Sequence, residues 1–134
     1  MVFSINIAIV GTSHLNNAEQ QEALMEIRKI IEQRKENDLI ITGDAEGIDS
    51  LVSWECLEIP HRVYEAKVKG WANEGGFKDR NIRIAENSDY VYSITTRTKD
   101  EECYHCNLPH QRTGGCWTLK YANSIGKKGS VIII

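Results

Sequence analysis

Residues 4–11 read SINIAIVG, a short run rich in Ile and Val that stops at a glycine. So brief an apolar run, ended by a turn residue, is the pattern of a strand covered on both faces. Such strands belong to sheets flanked by helices, and the segments that follow fit that class. Asn17 stands as a helix cap with Gln20 third in the helix, and Leu24, Ile27, Ile30 and Ile31 recur at helical spacing as far as Lys35. Leu39, Ile40 and Ile41, between Asp38 and Gly43, read as a second strand. Ile48, Leu51, Val52 and Cys56 then mark the buried stripe of a second helix. His61 to Ala66, after Pro60, is a third strand, Lys78 to Asn87 a helix, and Tyr90 to Ile94 a fourth strand. A last helix begins near Gly115, ends at Gly126, and leads into a C-terminal strand from Val131 to Ile134.

Alternating strands and helices imply crossovers that return the chain in one direction and cover both sheet faces. The expected fold is therefore α/β, a Rossmann-like three-layer domain with a mainly parallel sheet of roughly five strands. Ligands of such sheets bind beyond the C-terminal strand ends. The chain has 134 residues, which suits one domain spanning 1–134. Its composition, 41% hydrophobic and 26% charged, excludes a disordered chain, and its net charge of −3 argues against nucleic acid as partner. No apolar stretch approaches the ~20 residues that span a bilayer. The start, MVFSINIAIVG, lacks the basic residues and cleavage site of a signal peptide. A cytoplasmic location, with reduced cysteines, is the expectation.

Three segments fall just past predicted strand ends: GTSH (Gly11, Thr12, Ser13, His14), TGDAEGID (Thr42 to Asp49) and TGGCWT (Thr113 to Thr118). Any one of them reads equally well as a turn that needs glycine. Three converging on one sheet edge instead suggest loops that let backbone approach a ligand, with helix N-terminal N–H groups suited to phosphate. Neither a Walker motif nor a full G-x-G-x-x-G is present, so ATPase and ordinary dehydrogenase readings lack their signatures.

At this level the chain resembles the SLOG superfamily of Rossmann-like proteins, which includes the Lonely Guy phosphoribohydrolases and DNA-processing protein A, and most resembles its small YspA-like branch. The likeness rests on the loop Gly43-Asp44-Ala45-Glu46-Gly47-Ile48-Asp49, on Trp71 followed by Gly75, Gly76, Lys78, Arg80 and Asn81, and on Gly114, Gly115 and Thr118 before Gly126 and Lys127. It covers nearly the whole chain. The resemblance implies that Gly43, Gly47 and Asp49 shape one side of a nucleotide pocket, that Gly114, Gly115 and Thr118 bind phosphate on the other, and that Lys78 and Arg80 supply positive charge. It also implies a homo-oligomer, since relatives often pair into dimers.

Side-chain chemistry agrees with those roles. Arg presents a planar fork to phosphate oxygens, and Asn81 has donors and acceptors for a base or ribose. Arg80 could equally pair with Asp79 or Glu86 on a solvated helix face. Trp71 could stack on a base or simply pack. Tyr121 stands where Lonely Guy enzymes carry a glutamate that serves catalysis, and a neutral phenol cannot supply that negative charge. Asp44, Glu46 and Asp49 are the weak substitutes, although acidic loop residues more often cap helices or accept from ribose hydroxyls.

The segment 95–114 has no helical or strand period and is long for a connection, the sign of a functional or metal-organised insert. Within and just after it stand Cys103, Cys106, His110 and Cys116, with His105 as an alternative fourth ligand. Close-spaced thiols and imidazole suit tetrahedral zinc, against the alternative of a reduced thiol pair beside a Pro109 turn. The leading expectation is a module that binds a nucleotide or a phosphate-bearing derivative, as a sensor or sequestering protein. The alternative is a nucleotide hydrolase, using either the acidic loop or zinc-activated water. A DNA-binding relative comes third, weakened by the acidic balance.

Overall fold

The computed structural model describes residues 4–98, 101–103, 105–110 and 113–134. Residues 99–100, 104 and 111–112, part of the expected insert, lie outside that description. Five strands and four helices alternate: β1 (Asn6–Gly11), α1 (Asn17–Gln33), β2 (Leu39–Gly43), α2 (Ile48–Glu55), β3 (His61–Tyr64), α3 (Phe77–Glu86), β4 (Tyr90–Thr95), α4 (Gly114–Ser124) and β5 (Lys128–Ile133). All strands pair in parallel, in the spatial order β3-β2-β1-β4-β5. The order reverses between β1 and β4, so the crevice beyond their C-terminal ends is the topological switch point of a doubly wound sheet.

Residues of β1 alternate between two dry layers, as a strand's period of two demands. Ile7 and Ile9 pack with Ala23, Ile27 and Ile30 of α1 and with Ile48 and Val52 of α2. Ala8 and Val10 face the opposite way, onto Ile84 and Ala85 of α3 and Leu119 and Ala122 of α4. Each fully buried Ile on these faces contributes roughly 1.5–3 kcal/mol by leaving water. Among the described residues, no helix is long and apolar enough to cross a membrane.

Several boundaries differ from the sequence expectation, most by a residue or two, and three of them have a clear physical reason. The cap of α1 is Asn16, not Asn17: Asn16 Oδ1 accepts the Glu19 N–H at 2.8 Å, and Glu19 Oε1 accepts the Asn16 N–H at 2.9 Å. This reciprocal box uses the stronger acceptor, Glu19, where the shifted register would use Gln20. Strand β3 ends at Tyr64 and not Ala66, because Tyr64 pairs with Gly43, the last residue of its only neighbour. Strand β5 begins at Lys128, ahead of Val131: pairing with β4 recruits Lys128, Gly129 and Ser130, residues whose intrinsic preference is a turn. A Cβ on Gly129 would lie 2.2 Å from the Val91 carbonyl oxygen, so the close approach there requires glycine.

The capping assignment is checkable. Asn16→Ala is expected to lower stability by about 1 kcal/mol, seen as a reduced urea midpoint at unchanged m-value, while Asn17→Ala is near neutral.

Candidate functional site

The loops after β1, β2, β3 and β4 enclose a cavity of about 730 Å³ at the switch point. Its floor is the junction of β1 with α4. Gly11 closes β1, and a Cβ there would fall 2.0 Å from the Ile94 carbonyl oxygen. Gly115 sits directly on it: a Cβ on Gly115 would lie 2.6 Å from the Gly11 Cα. Two glycines in contact let the first turn of α4 reach the strand end without an intervening side chain. Thr12 donates its N–H to the Ile94 carbonyl and accepts the Ile48 N–H, both at 3.0 Å, which stitches the β1 loop to β4 and α2.

The helix N-termini differ in charge. Glu19, Asp49 and Asp79 stand in the first turns of α1, α2 and α3, whereas α4 has no acidic residue there. Thr113 caps α4 by accepting the Cys116 N–H at 3.1 Å. Gly114 and Gly115 line the cavity, and their N–H groups belong to the helix turn that has no intrahelical acceptor. A partial positive end therefore opens into the cavity without a carboxylate of its own to offset it.

Arg80 reaches the same space from α3 and is 8% exposed. Its Nη1 donates to Asp44 Oδ1 at 2.7 Å and its Nε to Asn81 Oδ1 at 3.2 Å, and its guanidinium lies over the Phe77 ring at 5.2 Å. The ion-pair partner is thus Asp44, not Asp79 or Glu86. Asp79 instead accepts the Gly75 N–H at 2.7 Å and holds the turn before α3. Two of the five guanidinium donors are engaged in these bonds, and the pairing fixes the plane of the fork.

Asp49 is buried behind Arg80. Its Oδ2 accepts the Ala45 N–H at 3.2 Å, while Oδ1 has no hydrogen-bond partner among the described residues. Burial pushes its carboxyl up to about 7, against the pull of Arg80, the Ala45 N–H and Thr42 and with the added push of Asp44. Near neutral pH the cavity thus sets Arg80 and Lys69 against Asp44 and Glu46, with Asp49 carrying a partial proton.

Of the residues expected to meet a ligand, Gly11, Thr12, Ser13, Asp44, Asp49 and Trp71 line the cavity, as do Arg80, Asn81, Gly114, Gly115 and Thr118. Glu46 lies on its rim. Gly43, Gly47 and Lys78 do not line it. A Cβ on Gly43 would lie 2.5 Å from Asp49 Oδ2, so this glycine makes room for the carboxyl. Gly47 is the N-cap of α2 at φ +73°, pressed against the Thr12 carbonyl. Both glycines fit loop to loop. Lys78 is exposed on α3. Thr118 donates its hydroxyl to the Gly114 carbonyl at 2.7 Å, so its proton is engaged within α4 and not offered to the cavity. Lys69 and Phe77 also line the space and were not expected, and His14 lines it as the last residue of the GTSH loop. The signal for Lys69 was its place in the loop after β3, which opens on the same sheet edge as the glycine loops.

Trp71 meets Trp117 edge-on at 5.0 Å between ring centroids, and Trp117 stacks on Tyr121 at 5.5 Å. Tyr121 is thus part of an aromatic ladder that backs one wall of the cavity, with Trp71 at its exposed end.

On the far side of the first turn of α4, ligand atoms of Cys103, Cys106, His110 and Cys116 all lie within 4.8 Å of one another. His105 is not in this group. Asn107, at φ +62°, reverses the chain after Cys106, and its N–H bonds the Cys103 carbonyl at 2.6 Å. The Arg97 to His110 bridge then returns His110 beside the end of β4. Cys103 Sγ and Cys116 Sγ are 3.7 Å apart, close to the ~3.8 Å edge of a tetrahedron with metal–sulfur bonds of about 2.3 Å. Cys106 Sγ and His110 Nε2 stand at 3.0 Å, about half an ångström inside the corresponding sulfur–nitrogen edge. His110 Nδ1 lies 3.3 Å from Thr95 Oγ1, leaving Nε2 toward the thiols, the outer-shell contact that orients a ligating imidazole. Burial and the neighbouring thiols of Cys103 and Cys106 hold the Cys116 thiol well above its ordinary range, and a bound cation reverses that preference. Three sulfurs and one imidazole nitrogen within 4.8 Å of one another, in a largely buried cluster, are a donor set that fits zinc.

The shifted Asp49 carboxyl has a consequence for stability. Its proton is held more tightly in the folded chain than in the unfolded one, so its contribution is complete below about pH 4 and is lost as pH rises through about 7. Urea unfolding at a series of pH values is expected to show wild type losing stability relative to Asp49→Asn across that interval, by at most about 1.4 kcal/mol per pH unit. Parallel curves for the two proteins would show that the carboxyl does not titrate there.

In comparisons with known proteins, no protein-family model matches the chain and no curated protein matches it.

Proposed function

We propose that the chain binds a nucleotide or a phosphate-bearing nucleotide derivative at the switch-point cavity, as a sensor or sequestering module of the SLOG type. The observation that carries this reading is the acid-free N-terminus of α4 opening, through Gly114 and Gly115, into a cavity where the buried Arg80 stands opposite. Helix donors and a fixed guanidinium are complementary to phosphate oxygens. Asn81 and Lys69 extend the polar wall for ribose or a second phosphate, and the half-exposed Trp71 offers a ring face to a base. The ~730 Å³ of space lies within the range usual for small-molecule sites.

Zinc is proposed at Cys103, Cys106, His110 and Cys116, where the four side chains would complete its coordination. When bound it supplies a compact charge that crosslinks the insert to α4. Four protein ligands leave no open position for water, so the arrangement supports a structural role over water activation.

One observation favours the alternative of a nucleotide hydrolase. Asp49 brings to the cavity a buried carboxyl with an unpartnered oxygen, raised to about 7, the range suited to proton transfer at neutral pH. Under that alternative, prolonged incubation with nucleoside monophosphates releases free base or phosphate and Asp49→Asn abolishes the release. Under the binding reading, intact ligand is recovered.

Titration calorimetry with AMP and GMP tests binding directly. Arg80→Ala is expected to weaken the interaction roughly 10- to 100-fold through loss of a charged hydrogen bond. Gly114→Val fills the cradle itself. Among the described residues its Cβ would meet only Asn81 Nδ2, at 3.4 Å, so this change blocks ligand with far less strain on the fold than substitution of Gly115. Affinity unchanged in both variants would overturn the assignment. Elemental analysis should find about one zinc per chain, falling sharply in Cys106→Ser.

A further inference from the structure

We infer that metal binding at the thiol–imidazole cluster and ligand binding at the α4 cradle are thermodynamically coupled, each raising the affinity of the other. The inference rests on the anion-binding reading of the cavity and adds to it a form of control.

The coupling follows from where the four ligands stand in the chain. His110 precedes the cradle residues Thr113, Gly114 and Gly115, and Cys116 follows them immediately. A cation bound to both therefore holds the cradle from either end. Cys116 is the third residue of α4, and its N–H is the one capped by Thr113. Its side chain is 1% exposed and does not line the cavity. The metal would thus act on the position of the helix turn without touching the ligand.

That turn has little freedom on its other side. Gly115 already lies against Gly11, and Gly11 is tied into β4 through register with Ile94. A second route runs along β4. His110 contacts Thr95 Oγ1, next to Ile94, whose carbonyl accepts the N–H of Thr12 on the cavity wall. Cluster and cavity therefore share the end of β4 and the start of α4.

Among the described residues, the lead-in to the helix is tied by the bridge from Arg97 to His110, the Thr98 N–H to Pro109 carbonyl bond at 3.1 Å, the Cys103 N–H to Leu108 carbonyl bond at 2.9 Å and the Asn107 N–H to Cys103 carbonyl bond at 2.6 Å. Cys103 Sγ and Cys116 Sγ at 3.7 Å, and Cys106 Sγ and His110 Nε2 at 3.0 Å, are weak sulfur contacts that a cation would replace with coordination bonds. Ordering this lead-in costs conformational entropy, whichever ligand is bound first. The first to bind meets most of that cost, and the second binds to a segment already ordered. Reciprocity requires the two affinities to change by the same factor.

The test uses the zinc-loaded chain. Zinc transfer to a coloured chelator is timed with and without AMP at a concentration shown by calorimetry to saturate the protein. Release is expected to slow about tenfold or more with AMP, within the usual span of site-to-site coupling, and in Arg80→Ala, whose cluster is intact, to need about 10- to 100-fold more AMP for the same slowing. In the reciprocal measurement, chelated protein is expected to bind AMP more weakly, by the factor by which AMP raises zinc affinity at equilibrium. Thr95→Val, which keeps all four ligands but removes the contact to His110, should both speed zinc release and weaken AMP. Release unchanged under saturating AMP overturns the coupling and leaves the binding reading standing. Absence of AMP binding to the zinc-loaded chain overturns both. The release measurement is made on folded, loaded protein, so it decides the matter even where chelation unfolds the chain.

Discussion

The contact of Gly115 on Gly11 is the constraint on which the rest of the site depends. A side chain at Gly115 would drive α4 away from the end of β1, since its Cβ would stand 2.6 Å from the Gly11 Cα, and one at Gly11 would push that strand end off the Ile94 carbonyl and Ile48. With both bare, the uncapped donors of α4 are delivered to the switch point of the sheet. Arg80, Asn81 and Trp71 then come to the same space from α3 and the loop before it. The fold places four loops at one edge, and two absent side chains determine how deep that edge can be.

Much of this was legible in the sequence because it depends on local rules. The apolar run of β1 specifies two buried faces and the helical spacing of α1 specifies one, and these are the faces that meet in the layers seen. The spacing of Cys103, Cys106, His110 and Cys116 pointed to a cluster because close-spaced ligands in a short loop have few ways to separate. Other details were hidden because they depend on partners distant in sequence. Asn16 and Asn17 are equivalent as letters, and the choice between them is made by which one reaches Glu19. Lys128, Gly129 and Ser130 read as a turn until β4 supplies a strand to pair with.

The glycines show the limit most clearly. Gly43, Gly47, Gly114 and Gly115 look alike in the sequence, all in loops past strand ends. Only the last two face the cavity. Gly43 yields space to the Asp49 carboxyl, and Gly47 takes a left-handed conformation against Thr12. A glycine-rich loop signals close approach, but the approaching group can be protein as readily as ligand. Charge at helix starts is more informative. Carboxylates at Glu19, Asp49 and Asp79 satisfy three helices from within, and the lack of one in α4 distinguishes its terminus from the others.

The aromatic ladder from Trp71 through Trp117 to Tyr121 gives the cavity a particular character. Tyr121 packs against the core layer formed by β1, α3 and α4, so the wall beside the ligand space is braced by the same contacts that hold the fold together. A wall fixed in that way cannot remodel itself around guests of different shape. It selects by fit to a preformed outline, and little ordering of the wall remains to be done when the right guest arrives.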